Sequence, residues 1–447
     1  MTTVSNPDAV RGSEPAPVHK RRFLAKLTGV TAGGMFIDGY VLGIIGAAIG
    51  AAAVELRMPL LWQGLIGASA LIGIFVGGPL GGWLTDKLGR KPLFTADLAI
   101  FLVGSVLQFF VDSAWQLFAV RLLMGIAVGA EYSVGWPLLS EFAPARLRGR
   151  LMSFSEVAWY AGFVVAFIVG YVMGTVFDLD WRLILGSSTV PAVILFLSRL
   201  GMPESPRWLM NQGRTEEARH IAEKYLEDPA DALDITHESG RKGTFGMLFS
   251  RDYRRATAFT SLFWFCAVTP YFAIATFSAS VLSRYGLGDG LGGAIGVNGV
   301  AVAGVVVSLL LIDRIGRRKL TVPGQWVCAA VLAIIGLWSG APTFVVLVCF
   351  LVFAFVNASY TALTGVYPGE IFPTEVRGIG TGFATASSRI GAALGTFALP
   401  WSMENLGAGP SMLIASCVCV AGAAVSQVLA PETMGRSLSE TSAPHQA

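Results

Sequence analysis

The chain has 447 residues, 54% of them hydrophobic and only 14% charged, with a formal net charge of +3 and a mean hydropathy of +0.63. Soluble domains carry about 25% charged residues, so this composition excludes a water-soluble globular protein and points to the bilayer. The small net charge says little, because the basic residues are distributed by position.

Residues 1–22 are polar and contain proline, and read as a disordered tail. About 20 apolar residues cross a membrane as a helix. Twelve stretches are long enough: 27–54, 62–84, 92–111, 116–141, 150–174, 182–201, 256–283, 291–313, 319–339, 343–368, 377–401 and 408–430. The first is too long for a signal peptide and ends without a convincing cleavage site, so it reads as a retained span. Lys20, Arg21, Arg22 and Lys26 precede helix 1. Lys87, Arg90 and Lys91 follow helix 2, Arg146, Arg148 and Arg150 follow helix 4, and Arg314, Arg317, Arg318 and Lys319 follow helix 8. The other side carries only Arg57, Arg182 and Arg284. The positive-inside bias therefore puts both termini and the even-numbered loops in the cytoplasm.

The long connection is 202–255, in which TEEARHIAEKYLED (215–228) predicts a short cytoplasmic helix with charged residues at i,i+4 spacing, such as Glu216–His220 and Glu223–Glu227, on a solvated face. The organisation expected is a tail (1–22), a six-helix bundle (23–201), a linker (202–255), a second six-helix bundle (256–430) and a polar tail (431–447). The fold class is an all-α membrane protein of twelve transmembrane helices.

Three landmarks recur at nearly one offset. GWLTDKLGRK (82–91) returns as LLLIDRIGRR (309–318), which pairs Asp86, Gly89 and Arg90 with Asp313, Gly316 and Arg317. EFAPARLRG (141–149) returns as EIFPTEVRG (370–378), and PES (203–205) as PET (431–433). The offsets of 227, 229 and 228 describe a duplicated half-chain. In a membrane protein such duplication is a signature of a transporter. Glycine, at 53 residues, clusters at helical spacing (Gly73, Gly77, Gly81; Gly125, Gly129; Gly391, Gly395), which lets helices approach closely. The five cysteines have no metal-ligand spacing, and the four histidines lie in the tails and linker, so no metal, cofactor or intramembrane histidine relay is expected.

The 82–91 loop closely resembles the signature loop of the major facilitator superfamily, and Arg121-x-x-x-Gly125-x-x-x-Gly129 resembles its helix 4 motif. Glu141, Pro144, Arg148-Gly149, PESPRWL (203–209), Glu370, Pro373, Arg377-Gly378 and PET are similar to the sugar-porter-like branch, so the resemblance covers essentially the whole chain. It implies two six-helix halves that alternate access by rocking. It also implies a cytoplasmic gate of interdomain salt bridges among Asp86, Arg90, Glu141, Arg148, Asp313, Arg317, Glu370 and Arg377. Exposed pairs are individually weak, about 0–1 kcal/mol, so a substrate can bias them.

Five ionisable groups lie well inside the spans: Asp38, Arg121, Glu131, Glu156 and Arg389. Such groups are costly in hydrocarbon and usually functional. Asp97 lies nearer the end of helix 3 and is set aside. A desolvated carboxyl at Asp38 can take up a proton, or it can be a structural partner of Arg121, which by resemblance faces it. The sugar-porter pattern would place its acid at Val41, three residues along on roughly the same helix face. Glu156 and Glu131 are further candidates for proton coupling, with internal salt bridges as the alternative. Arg389, in TASSRIGAALG, has Tyr160 as its repeat equivalent and so no duplicated structural role. Its guanidinium keeps its charge and can grip a carboxylate bidentately; the alternative is pairing with Glu131 or Glu156.

Helix 7 reads WFCAVTPYFAIATF (264–277), without the paired glutamines that the resemblance would lead one to expect for sugar hydroxyls. Tyr271, Phe272 and Phe277, with Trp159, Tyr160, Asn357 and Tyr360, suit an apolar or aromatic body, and Asn298 and Gln325 offer amides; packing is the alternative for each. The reading is a secondary transporter of the inner (plasma) membrane, monomeric, coupled to protons and taking up a small organic acid, with an aromatic carboxylate as one case. Sugar or polyol transport is the alternative, followed by a drug or metabolite exporter and a transporter-derived nutrient sensor. No nucleotide-binding fingerprint or catalytic constellation appears, so enzymatic chemistry and a nucleic-acid partner are not expected.

Overall fold

The computed structural model describes residues 18–226, 244–286, 291–338, 340–372 and 374–434. Residues 1–17 of the expected tail (1–22), 227–243 of the linker (202–255) and 435–447 of the final tail (431–447) lie outside the described residues. The first half contains α1 (Val18–Glu55), α2 (Leu60–Leu88), α3 (Arg90–Leu107), α4 (Ala114–Phe142), α5 (Ala145–Tyr171), α6 (Trp181–Gly186) and α7 (Thr189–Arg199). The connection holds α8 (Pro206–Asn211) and α9 (Thr215–Tyr225). The second half contains α10 (Arg254–Thr276), α11 (Ser278–Arg284), α12 (Leu291–Ile315), α13 (Arg317–Leu337), α14 (Thr343–Thr361), α15 (Val366–Ile371), α16 (Thr374–Asn405) and α17 (Ala408–Leu429).

The pairs α6/α7, α10/α11 and α14/α15 are each one crossing, which gives twelve crossings. Eleven qualify as spans on length and apolarity. The twelfth, α16, has 32 residues and is diluted by Gly, Ser and Thr. The sequence expects the three broken crossings to be continuous. Pro191, in the first turn of α7, has no N–H to carry the ladder back across Ser187. At the same break Ser187, Ser188 and Gln108 side chains bond the freed carbonyls of Ile184 and Leu185. The hydroxyls of Ser278 and Thr364 do the same at the other two breaks, reaching Ala275 and Thr361.

α1 begins at Val18, so residues 18–22 are helical and not part of a free tail. Lys20 donates to the Leu226 carbonyl at 2.5 Å and His19 to that of Lys224 at 3.2 Å, placing the Lys20 cation and a second donor at the C-terminal end of α9. α9 is the helix expected in the linker, and its ion pair is Arg214–Glu217 at 2.5 Å. Phe23 and Tyr225 pack as tilted rings with centroids 4.2 Å apart, which docks this helix on the first half.

Within the halves α1 packs on α5, α2 on α4, α10 on α16 and α13 on α17. A methyl at Gly73, Gly77, Gly125 or Gly129 would collide with backbone of the facing helix, so the α2–α4 glycine stripes do bring two backbones together. Across the halves α2 packs on α16 and α5 on α12, two contacts related by the repeat. Gly46 meets the Thr276 carbonyl, Gly64 that of Phe397, and Gly67 the Phe277 ring and Thr396. All three contacts lie toward the end opposite the duplicated basic loops.

Candidate functional site

At the basic-loop end the three duplicated landmarks become two equivalent networks. Gly89 turns the chain at φ 100° and Gly316 at φ 95°, where an L side chain is strained. A methyl there would also lie 2.5 Å from Glu204 Oε2 and 2.7 Å from Glu432 Oε2, respectively. Glu204 accepts from the Arg90 (2.9 Å) and Lys91 (3.1 Å) N–H groups at the start of α3. Glu432 accepts from Arg317 (2.9 Å) and Arg318 (3.0 Å) at the start of α13. Each carboxylate thus satisfies free amides at the positive end of a helix dipole. Arg90 pairs with Glu141 at 2.6 Å and Arg317 with Glu370 at 2.9 Å. Ser205 donates to Glu141 and Thr433 to Glu370.

These two Arg–Glu pairs close within their own halves, not across the halves as the resemblance leads one to expect. The physical reason is the PES and PET segments, which fold back beneath their own bundles and orient the glutamates through a hydroxyl. The side chains of Asp86, Arg148, Asp313 and Arg377 lie outside the described residues. Glu204, Ser205, Glu432 and Thr433 were visible in the sequence only as repeat landmarks, without a chemical role.

Deeper in the first half Arg121 is fully buried and donates to the Val41 carbonyl at 3.2 Å, not to Asp38. Asp38 instead shares a cavity of about 10 Å³ with Asp97, Glu131 and Arg199. Arg199 pairs with Glu131 at 2.7 Å and Asp97 at 3.1 Å, donates to the Phe94 carbonyl at 2.7 Å and stacks on the Phe94 ring at 3.8 Å. Asp97, set aside for its depth, is only 2% exposed, and Arg199 equally so. Arg199 closes a span, where a cation normally snorkels to water. Here it turns inward because α7 packs on α3 and α1.

The seam between the halves brings other candidates together. Trp159 and Tyr160 of α5 face Phe272 and Tyr271 of α10, with centroids 5.9 and 6.0 Å apart. The Arg389 guanidinium lies 5.4 Å from the Tyr132 ring of the first half and 5.9 Å from the Phe272 ring of its own. It forms no ion pair among the described residues, its Nε is buried without a partner, and Glu156 interacts with it electrostatically. Tyr132 was missed; its signal was adjacency to Glu131. Asn357 bonds Ala267 (3.1 Å) and Tyr360 (2.7 Å), and Asn298 bonds Ala294 (2.9 Å) and Ser278 (3.4 Å), so these amides tie the second half together. Gln325 is buried among α10 and α17, beside Gly422 and Cys266.

Two repeat-related bundles meeting over a seam of rings, a carboxylate and a guanidinium define a membrane transporter of the major facilitator class. The chain belongs to the sugar (and other) transporter family, which matches residues 26–443, and it is a carrier, not an enzyme. It is 37% identical to the inner membrane metabolite transport protein YgcS of Escherichia coli (strain K12), over 92% of each chain. It is 35% identical to the putative metabolite transport protein YaaU of the same organism, again over 92% of each. The proton:xylose symporter XylE from E. coli, solved with 6-bromo-6-deoxy-D-glucose bound, has the same fold: TM-score 0.76 at 24% identity, over 94% of this chain and 99% of that one.

Proposed function

We propose that this protein takes up a small polyhydroxylated carboxylate, of the sugar-acid class, together with protons across the plasma membrane, and that it works as a monomer. The observation that carries the carboxylate is Arg389, a half-buried guanidinium at the seam that has no direct ion pair among the described residues, although Glu156 interacts with it electrostatically. An arginine left unpaired in a membrane interior is costly unless an anion visits it. The sugar-like body rests on the relatives: the family is named for sugars, and one neighbour in fold is a xylose symporter. Trp159, Tyr160, Tyr271 and Phe272 suit the C–H face of a sugar ring as well as an aromatic acid. The relatives favour a sugar over a plain organic acid, and neutral sugar transport is the second reading.

The basic loops orient the duplicated networks toward the cytoplasm. With the halves in close glycine contact at the other end, the conformation is read as inward-facing. Asp38, buried and with Oδ2 unpartnered, is the acid proposed to couple protons.

The test is a thermal-shift and counterflow panel of xylose, gluconate and benzoate on the purified protein. Gluconate should stabilise it and exchange, and Arg389→Gln should abolish both. Stabilisation by xylose with none by either acid would establish the neutral-sugar reading instead.

A further inference from the structure

We infer that Asp97, Glu131 and Arg199 form, with Asp38, a proton-holding site inside the first half, in which two carboxyl groups pair with one guanidinium and a third lines the same cavity. This deepens the proton-coupled reading above and rests on it. Asp38 (α1), Asp97 (α3), Glu131 (α4) and Arg199 (α7) come from four helices, and each is 6% exposed or less. With every group ionised the cluster would hold two net negative charges, and burying one uncompensated charge already costs several kcal/mol. Asp97 and Glu131 lie 3.1 and 2.7 Å from the one Arg199 guanidinium. Two carboxylates crowded on a single cation repel each other, and a proton held by one of them relieves that repulsion. Oδ2 of Asp38 and Oδ2 of Asp97 are both buried without a partner, and both residues line the cavity of about 10 Å³. That is about the space of one water, room for a proton carrier between the acids and for little else.

The repeat supplies an internal control. Offsets of 227–229 carry Asp38 to 265–267, Asp97 to 324–326, Glu131 to 358–360 and Arg199 to 426–428, and none of these positions is charged. Packing of the shared fold therefore does not require the cluster. Besides the cluster's own members, Arg389 of the other half acts electrostatically on Asp38. A substrate carboxylate that neutralises Arg389 removes a positive charge from the field at the cluster and so favours proton uptake there. By linkage a proton on the cluster favours the substrate to the same extent, which is the thermodynamic condition for symport.

The experiment is infrared spectroscopy of the full-length protein in proteoliposomes during a pH titration, with no substrate present. The wild type should show the C=O stretch of a protonated buried carboxyl at neutral pH. Asp97→Asn and Glu131→Gln should each lose or shift it, Arg199→Lys should retain it, and Glu156→Gln should leave it in place. Absence of the band from the wild type at neutral pH would overturn the inference even if every variant failed to fold. So would a band lost only in Glu156→Gln. Because no substrate is used, a wrong substrate class leaves this readout untouched.

Discussion

The two ends of this molecule treat the duplication in opposite ways. At the basic-loop end the halves are copies: Arg90–Glu141–Ser205–Glu204 is repeated as Arg317–Glu370–Thr433–Glu432, with the same contacts. Inside the membrane they diverge: the first half buries three acids and Arg199, while the second carries Arg389 and neutral residues at the equivalent positions. Symmetric parts serve what both halves do alike, which is to hold a loop turned and a helix capped. Asymmetric parts are free for what is done once, which in the function proposed above is to bind one substrate and move its protons.

Arg389 breaks the symmetry most sharply. Truncating one partner of a buried charge pair costs about 2–5 kcal/mol, so Arg389→Gln should lower counterflow of a bound carboxylate by about 30-fold or more, with little change in thermal stability. A loss below tenfold would return Arg389 to a packing role. Next comes Asp38→Asn, which should abolish accumulation driven by a pH gradient while leaving counterflow in place; accumulation at the wild-type level would remove Asp38 from coupling. The copied networks should respond alike and less strongly. Glu204→Ala and Glu432→Ala each delete a helix N-terminal acceptor worth about 1 kcal/mol, and their losses in thermal stability should match. Unequal losses would show that the networks are equivalent in geometry but not in energy.

The smallest effect concerns acid. Burial pushes the Glu432 carboxyl up, but bonds from the Met434, Arg317, Arg318 and Thr433 amides outweigh it and hold the group below its ordinary 4.5. A carboxyl lowered on folding contributes stability above its unfolded value and loses it as pH falls through the folded one. Thermal stability should therefore fall below about pH 4.5, and Glu432→Gln should flatten that part of the profile.

Much of this was legible in the sequence. The twelve spans, the duplication and the glycine stripes follow from hydrophobic runs and spacing. Asp38, Glu131 and Arg389 stand out because a charge in an apolar run is conspicuous. What escaped lay at element boundaries: Arg199 at the end of a span looks like an interfacial cation, and Asp97 looks too shallow. Partner choice escaped as well, since Arg121 takes a backbone carbonyl and Asp38 lines a cavity with Arg199 instead.

The sequence by itself determined that this chain crosses the membrane twelve times in two copied halves, because the apolar runs and repeat offsets are linear properties of the chain. Only the tertiary structure decided which charges meet. Helices separated by up to about 160 residues, α1 and α7, deliver Asp38 and Arg199 to one cavity, and their rotation is set by packing against α3, α4 and α5. One charged group at a span end can face water or a neighbour with the same local sequence, and burial makes that choice.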